Sequence, residues 1–453
     1  MLSRETLGEL LRLSLPMVVS QGAYAVMVFT DRWFMSQLDA VHIAATLGGG
    51  VASFFCISLF VGVISYANAL VAQYFGAKEY EKCPRVVSQG AIMVLMSLPV
   101  LALATYFVGD LFDAMGHDPR QVELERMYFY TLMGGCFFTL MKICIASYFS
   151  GIGRTKVVMI SDVCGMILNI PLSYALIFGK MGFPAMGIVG AALGTVIASG
   201  FALALFISFY LAREHREKFN VLGSFRYDRG ILSRYLRLGI PSGFELFMNV
   251  ATFNLFLLMF QSYGVEQGAA MAIVFNWDML SFVPMIGLHI GVMSLIGRSV
   301  GANDMARVNQ VIAAGFVLAI AYSGTLGLLF ISYRVSLVEI FATPTGDFSA
   351  ISDLASYMMI GLSTYVVADA VLLIAGGALR GAGDTRWLMI TSISLHWIML
   401  VAQYFIIMVF ELGPRASWWA FVAMLISLAL VYLYRLLGDI WRHPERLAKV
   451  MAD

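Results

Sequence analysis

Apolar runs long enough to cross a bilayer recur along the chain, near 13–36, 47–72, 88–109, 128–149, 157–179 and 187–211. They return near 236–262, 270–296, 308–332, 355–378, 387–410 and 417–438. A hydrocarbon core of about 30 Å takes about 20 apolar residues per helix, so each run predicts one span. The second set repeats the first. LRLSLP at Leu11–Pro16 recurs as LRLGIP at Leu236–Pro241, a shift of 225 residues, and Gly76 and Gly90 fall over Gly301 and Gly315 in that register. From SYFSGIGRTK (Ser147–Lys156) over GALRGAGDTR (Gly377–Arg386) the shift becomes 230, and Pro184 and Pro414 keep it. The pattern predicts a duplicated chain of about twelve helices, six per half, with a five-residue insertion in the second half.

Composition fits that picture. Of the 453 residues 60% are hydrophobic and 13% charged, about half the charged share of an ordinary soluble domain, and mean hydropathy is +0.83. The fold class expected is an all-α integral membrane protein, with no soluble domain of useful size. A net charge of +1 implies no polyanionic partner, so no nucleic acid is expected. Cys56, Cys83, Cys136, Cys144 and Cys164 form no CxxC pair. They read as small apolar packing residues, not as a disulfide framework or a zinc site. The opening MLSRETLGELLRL is amphipathic and runs straight into the first span, so no cleavable leader is expected.

The connections predict orientation. Even-numbered loops carry Lys78, Lys82, Arg85, Arg154, Lys156, Arg298, Arg307, Arg380 and Arg386, and the stretch Arg213–Arg237 is densely basic. The termini add Arg4, Arg12, Arg435, Arg442, Arg446 and Lys449, whereas odd loops hold only Arg120, Arg126, Lys180, Arg334 and Arg415. By the positive-inside rule both termini are expected in the cytoplasm. An even number of spans per half keeps the halves in one orientation. Two six-helix bundles related by a pseudo-twofold along the membrane normal are therefore expected, a plan common among secondary transporters. The expected division is an N-terminal bundle 1–212, a basic cytoplasmic linker 213–233 and a C-terminal bundle 234–453.

An ionised side chain at mid-membrane costs at least about 2.5–3.5 kcal/mol, so each one needs a reason. The spans contain Asp31, Lys142, Asp162, Glu245, Asp278, His289, Asp369 and His396. Asp369 is the deepest carboxylate. Asp31 precedes Arg32, but helical neighbours point about 100° apart, so Arg32 can face headgroups while Asp31 faces inward. Glu245 and Asn249 lie one turn apart on one face, as do Tyr365 and Asp369. A carboxylate with an amide or phenol one turn away offers clustered oxygens to a small cation, or a polar pocket for a proton. Asp162, Lys142 and Asp278 can also be read as a structural set that neutralises itself, and His289 and His396 as hydrogen-bonded packing residues. Pro16, Pro171, Pro241 and Pro284 interrupt spans and permit bending. Gly48–Gly50 reads as close packing or an outer bend. No P-loop, metalloprotease motif or nucleophile elbow occurs.

The chain resembles the multidrug and toxic compound extrusion (MATE) family over essentially both halves, the NorM-like branch most closely. LSLPMVVSQGAYAVMVFTDRWFMSQLD, LVAQYFGAKEYEK, SGIGRTK, LNIPLSYALIFG, MGIVGAALGT and YVVADAVLLIAGGALRGAGDT carry the resemblance together. It implies a monomeric, multi-pass protein of a bacterial inner membrane that uses no cofactor. It implies efflux of cationic, amphiphilic compounds by antiport with Na⁺ or H⁺. Carried over residue by residue, Asp31 matches the family's first-span aspartate, and Tyr365 and Asp369 match its tenth-span cation pair. Asn169 and Asn276 match polar positions of spans 5 and 8, with Asp162, Lys142 and Asp278 as secondary polar positions. The branch places a glutamate eight residues after the seventh-span proline, where this chain has Asn249. Glu245, one turn earlier, can supply the charge, so the coupling set is Asp31, Asp369, Tyr365, Glu245 and Asn249, with a Na⁺ site expected at Asp369, Tyr365 and Glu245.

Two other classes compete. A lipid-linked sugar flippase of the same superfamily needs an arginine-rich cavity for pyrophosphate, whereas the mid-membrane charges here are mainly acidic and Lys142 is the one cation among them. A membrane-embedded enzyme needs a convergent catalytic constellation, which two histidines on separate spans do not make. The predicted topology is testable by sided labelling. Cysteines placed at Asp118 and Asp347 should react with an impermeant reagent from outside, and one at Lys218 should not. Outside labelling at Lys218 contradicts the orientation.

Overall fold

The computed structural model describes residues 3–114, 118–342 and 348–452; Asp347, expected in an outer loop, lies outside them. Among the described residues the regular structure is entirely helical. The first half holds α1 (Arg4–Ser36), α2 (Ala40–Ser65), α3 (Ala67–Gly76), α4 (Lys82–Ala114), α5 (Pro119–Gly134), α6 (Cys136–Gly151), α7 (Thr155–Phe178) and α8 (Ile188–Tyr210). A short helix α9 (Arg213–Phe219) and a 3₁₀ turn (Val221–Ser224) lead to the second half. There follow α10 (Arg229–Gln261), α11 (Val265–Gly301), α12 (Met305–Glu339), α13 (Ser349–Gly381), α14 (Thr385–Tyr404), α15 (Pro414–Leu437) and α16 (Pro444–Met451). Among the described residues eleven helices are long and apolar enough to cross a membrane, or twelve if α5 and α6 form one span. Each predicted apolar run therefore has its helix.

The fourth run differs from expectation. It is broken between α5 and α6, which meet at 47°. Gly134 and Gly135 supply the reason: a Cβ on Gly135 would lie 2.3 Å from the Val196 side chain, so only glycine lets this backbone reach α8. In the 230-residue register its counterpart is Tyr365, and α13 runs through that point unbroken. Helix ends are locally encoded. Asp39 accepts from the His42 amide at the start of α2, Asp118 caps α5 ahead of Pro119, and Asp304 accepts from the Arg307 amide at α12. Such caps satisfy amides that have no partner within the helix.

The chain forms two compact units. One comprises Val19–Phe247 with Ala452; the other comprises residues up to Val18 together with Met248–Met451. Both boundaries fall inside continuous helices, α1 and α10, so each unit contains the opening turns of the other repeat's first helix. The contacts that seat those turns are repeat equivalents. In the first unit a Cβ on Gly62 would lie 2.6 Å from Gly243 Cα, and in the second a Cβ on Gly287 would lie 2.6 Å from the Val18 amide nitrogen. Gly62 and Gly287 correspond in the 225 register, as do Val18 and Gly243. Likewise Gly151 abuts the Asn68 carbonyl and Val71, while Gly381 abuts the Met293 carbonyl and Ile296. Where backbones approach this closely, dispersion and the absence of a side chain hold helices together in lipid, which offers no hydrophobic drive between them.

On the even-loop side the two units use the same docking positions with opposite charges. Glu9 of α1 pairs with Arg307 of α12. Its counterpart Arg234 of α10, fully buried, donates to Gln73 Oε1 at 2.6 Å and lies over the Tyr74 ring. At the loop after α6, Arg154 pairs with Glu214 of α9. Its counterpart Asp384 accepts from Arg435 Nε at 2.8 Å and from Arg446 Nη2 at 2.6 Å. Val450 of α16 fills the space over Gly383, whose φ of +81° suits glycine. A near-copy segment placed in the wrong slot would meet like charge, with Arg234 facing Arg307 or Glu214 facing Asp384. Burial sets the weight of each pair. The Asp384 side chain is 3% exposed and the Glu214 side chain 57%. Asp384→Ala strands two arginines and is expected to destabilise its unit by about 3–5 kcal/mol. Glu214→Ala should leave thermal unfolding in detergent nearly unchanged; equal shifts for the two variants contradict this ranking.

Candidate functional site

Each unit carries an acidic group within its spans, and the two groups occupy positions that are not repeat equivalents. In the Val19–Phe247 unit, α1 presents Asp31, which is 4% exposed. Thr195 Oγ1 of α8 donates to Asp31 Oδ2 at 3.0 Å, and Asn169 Nδ2 of α7 reaches Thr195 Oγ1 at 3.5 Å. Ser173, one turn after Asn169, lies against the same carboxyl. Asp31 Oδ1, Asn169 Oδ1 and Ser173 Oγ are all buried without a hydrogen bond of normal geometry. In the other repeat the positions of Asp31, Asn169 and Thr195 are Phe256, Met399 and Leu425. They are apolar there; Phe256 stacks on Phe421 at 4.7 Å between ring centroids.

In the other unit, Tyr365 and Asp369 lie one turn apart on α13 as the sequence predicts. The ring of Tyr365 is held edge-on by Trp418 and Phe421, at 6.0 and 5.9 Å between centroids. The carboxylate that meets this pair is Asp278 of α11. Asp278 and Asp369 act directly on each other, and the Tyr365 hydroxyl lies beside Asp278. Asp278 Oδ1 and Tyr365 Oη are both buried without a hydrogen bond of normal geometry. Two carboxylates that meet between membrane spans repel unless a proton or a small cation joins them, and their oxygens with that of the phenol suit a hard monovalent ion. Among the described residues no group of three or more His, Cys, Asp or Glu side chains comes together.

The remaining predicted residues are placed as follows. Glu245 of α10 is 2% exposed and belongs to the Val19–Phe247 unit. Asn249, one turn later, belongs to the unit of Asp369, where it exchanges hydrogen bonds with Ser392 of α14 at 2.9 and 3.1 Å. Lys142 of α6 pairs with Asp162 of α7 at 3.2 Å, and the Ser20 hydroxyl donates to the same carboxylate. This pair lies in the Val19–Phe247 unit, whereas Asp278 is in the other. Asn276 turns its amide onto the Ala272 carbonyl of its own helix and is exposed. His289 binds the Leu373 carbonyl at 2.7 Å, and His396 binds the Ser392 carbonyl at 2.8 Å.

Sequence reasoning misses Thr195 and Glu125, and it misses the meeting of Asp278 with Asp369. Thr195 was signalled only as the last residue of MGIVGAALGT. Asp278 was read apart from Asp369, because nothing in spacing alone brings α11 to α13 at that level. Glu125 of α5 is fully buried and accepts from Gln121 at 2.9 Å. Its signal was Gly48–Gly50, since a Cβ on Gly48 would lie 2.5 Å from Glu125 Oε1. That triplet is close packing, one of its two readings from sequence.

Comparison with known proteins identifies the family. The MatE family model matches residues 16–175 and 241–405, two segments that open on the equivalent prolines Pro16 and Pro241. "Probable multidrug resistance protein NorM" of Mannheimia succiniciproducens is 25% identical over 94% of this chain and 93% of its own length. The protein of the same name from Pasteurella multocida is 26% identical with the same coverage. A solved eukaryotic MATE transporter superposes with a TM-score of 0.86 at 16% identity, over 98% of both chains, and so shares the fold. With both halves matched in order and across most of its length, the chain belongs to the MatE family of multi-pass membrane transporters.

Proposed function

We propose that this protein is a secondary active multidrug efflux transporter that exports cationic, amphiphilic compounds in exchange for Na⁺ or H⁺. The observation that carries this reading is the pair of acidic groups within the spans, buried Asp31 in one unit and half-buried Asp278 with Asp369 in the other. Neither has a counterpart in the other repeat, so neither is required by the shared scaffold. A lipophilic cation and the coupling ion compete for these carboxylates, and alternating access moves each in one direction. The names of the Mannheimia and Pasteurella relatives, both multidrug resistance proteins, support a role in drug transport. The moving bodies are the two six-helix bundles, taken as the compact units with their exchanged opening turns and the linker 213–233. Both termini face the cytoplasm of a bacterial inner membrane, and the working form is a monomer with no cofactor.

In this reading Asp369 and Asp278 hold the coupling ion, with Tyr365 as an added oxygen if the ion is Na⁺. Asp31 with Thr195 and Asn169 forms the second acidic station. Glu245 supplies the charge of α10 and Asn249 a polar position one turn on. Lys142 and Asp162 neutralise each other beside the first station.

The test is efflux of a fluorescent lipophilic cation from proteoliposomes under a Na⁺ gradient alone and then a proton gradient alone. One gradient should drive transport. Asp369→Asn and Asp278→Asn should each reduce the driven rate by at least about tenfold, the scale of one lost ionic interaction of about 1.4 kcal/mol or more. Tyr365→Phe should reduce it less, because the charges remain. Full gradient-driven transport by Asp369→Asn, or none by the parent under either gradient, overturns the reading.

A further inference from the structure

We infer that the linker between α8 and α10 is a lipid-docking element whose outer face binds anionic phospholipid headgroups. Its inner face is already committed. His215 and Phe219 are buried, with the Tyr148 hydroxyl 3.0 Å from His215 Nδ1 and Phe219 stacked on Phe75 at 6.3 Å. The Arg226 carbonyl accepts from Gln89 Nε2 at 2.9 Å, and Asp228 pairs with Arg85 at 3.4 Å. Phe75 ends α3, Gln89 lies in the second turn of α4 and Tyr148 in the last turn of α6. The linker is therefore fastened across the ends of spans, at the level where headgroups sit.

The outer face has the chemistry of that level. Leu222, Phe225 and Tyr227 are 61%, 64% and 63% exposed, a costly display for a loop in water. Exposed Arg216, Arg226 and Arg229 alternate with them, and none of the three has an ion pair among the described residues. The acids of the segment are occupied, Glu214 by Arg154, Glu217 by Arg213 and Asp228 by Arg85. Apolar side chains can enter the boundary between headgroups and acyl chains while guanidinium groups take the phosphates bidentately. The cations favour an anionic leaflet over a zwitterionic one or an uncharged soluble partner. Because the linker is fixed to the Val19–Phe247 unit, docking ties that unit to the leaflet. The inference needs only that the chain is membrane-embedded, not that it exports drugs.

The experiment installs p-benzoylphenylalanine in place of Phe225 in the full chain, in nanodiscs of equal parts phosphatidylcholine and phosphatidylglycerol. Lipid adducts are read by mass after irradiation. The same probe in place of Phe29, an apolar position of α1 that is 70% exposed, reports the ratio away from the linker. At 225 the anionic lipid should be enriched at least roughly fivefold over that ratio, the effect of about one basic side chain near an anionic surface. The triple variant Arg216→Gln, Arg226→Gln, Arg229→Gln should return the ratio to that value while the Phe29 probe is unchanged. Absence of lipid adducts at 225 overturns the inference, as does the same ratio at 225 and at Phe29 in the parent, or enrichment that survives the triple variant.

Discussion

Hydrocarbon cannot hydrogen-bond, and this constraint governs every level of the molecule. Backbone amides and carbonyls must pair within their own segment, so the apolar runs of this chain become helices. Apolar side chains gain little from meeting one another in lipid, so helices are held by close approach at glycine: Gly62, Gly151, Gly287 and Gly381 each leave room only for a neighbouring backbone. Charges within spans need a partner or a task. Lys142 and Asp162 have each other. Asp31 sits beside a hydroxyl and Asp278 beside a hydroxyl and Asp369, and none of the three carboxylates has an ion pair among the described residues.

Duplication separates scaffold from function. The contacts that build each unit recur at repeat-equivalent positions, down to Asn68 and Met293 presenting the same carbonyl to Gly151 and Gly381. The acidic stations do not recur. Where one half has Asp31, the other has Phe256, packed into the aromatic cluster that also steadies Tyr365. Where one half has Asp369, the other has Thr139. Divergence of this kind, acidic at one copy and uncharged at the other, is what two copies allow once one must keep the fold and both need not keep the chemistry. The even-loop side uses divergence differently, inverting charge at Glu9 and Arg234 and at Arg154 and Asp384, so that each docking segment fits one unit.

Much of this was legible in sequence because the signals are local or periodic. Span positions followed from apolar length, the duplication from Gly76, Gly301, Gly151 and Gly381, and the Tyr365 and Asp369 pairing from helical spacing. What stayed hidden depends on which helix lies beside which. The exchange of opening turns needs α1 and α10 to be divided at Val18 and Phe247, inside helices that read as continuous. The meeting of Asp278 with Asp369 needs α11 beside α13. The bend at Gly135 was hidden in an apolar run, because a glycine pair inside a span is ambiguous until Val196 is seen against it.

The central claim is that substrate and coupling ion share carboxylates. Equilibrium binding of a fluorescent lipophilic cation to the purified protein, measured across Na⁺ concentration and pH, tests it most directly. Shared sites require the cation's affinity to fall as Na⁺ or proton activity rises, by linkage between competing ligands. An affinity that is independent of both contradicts the account.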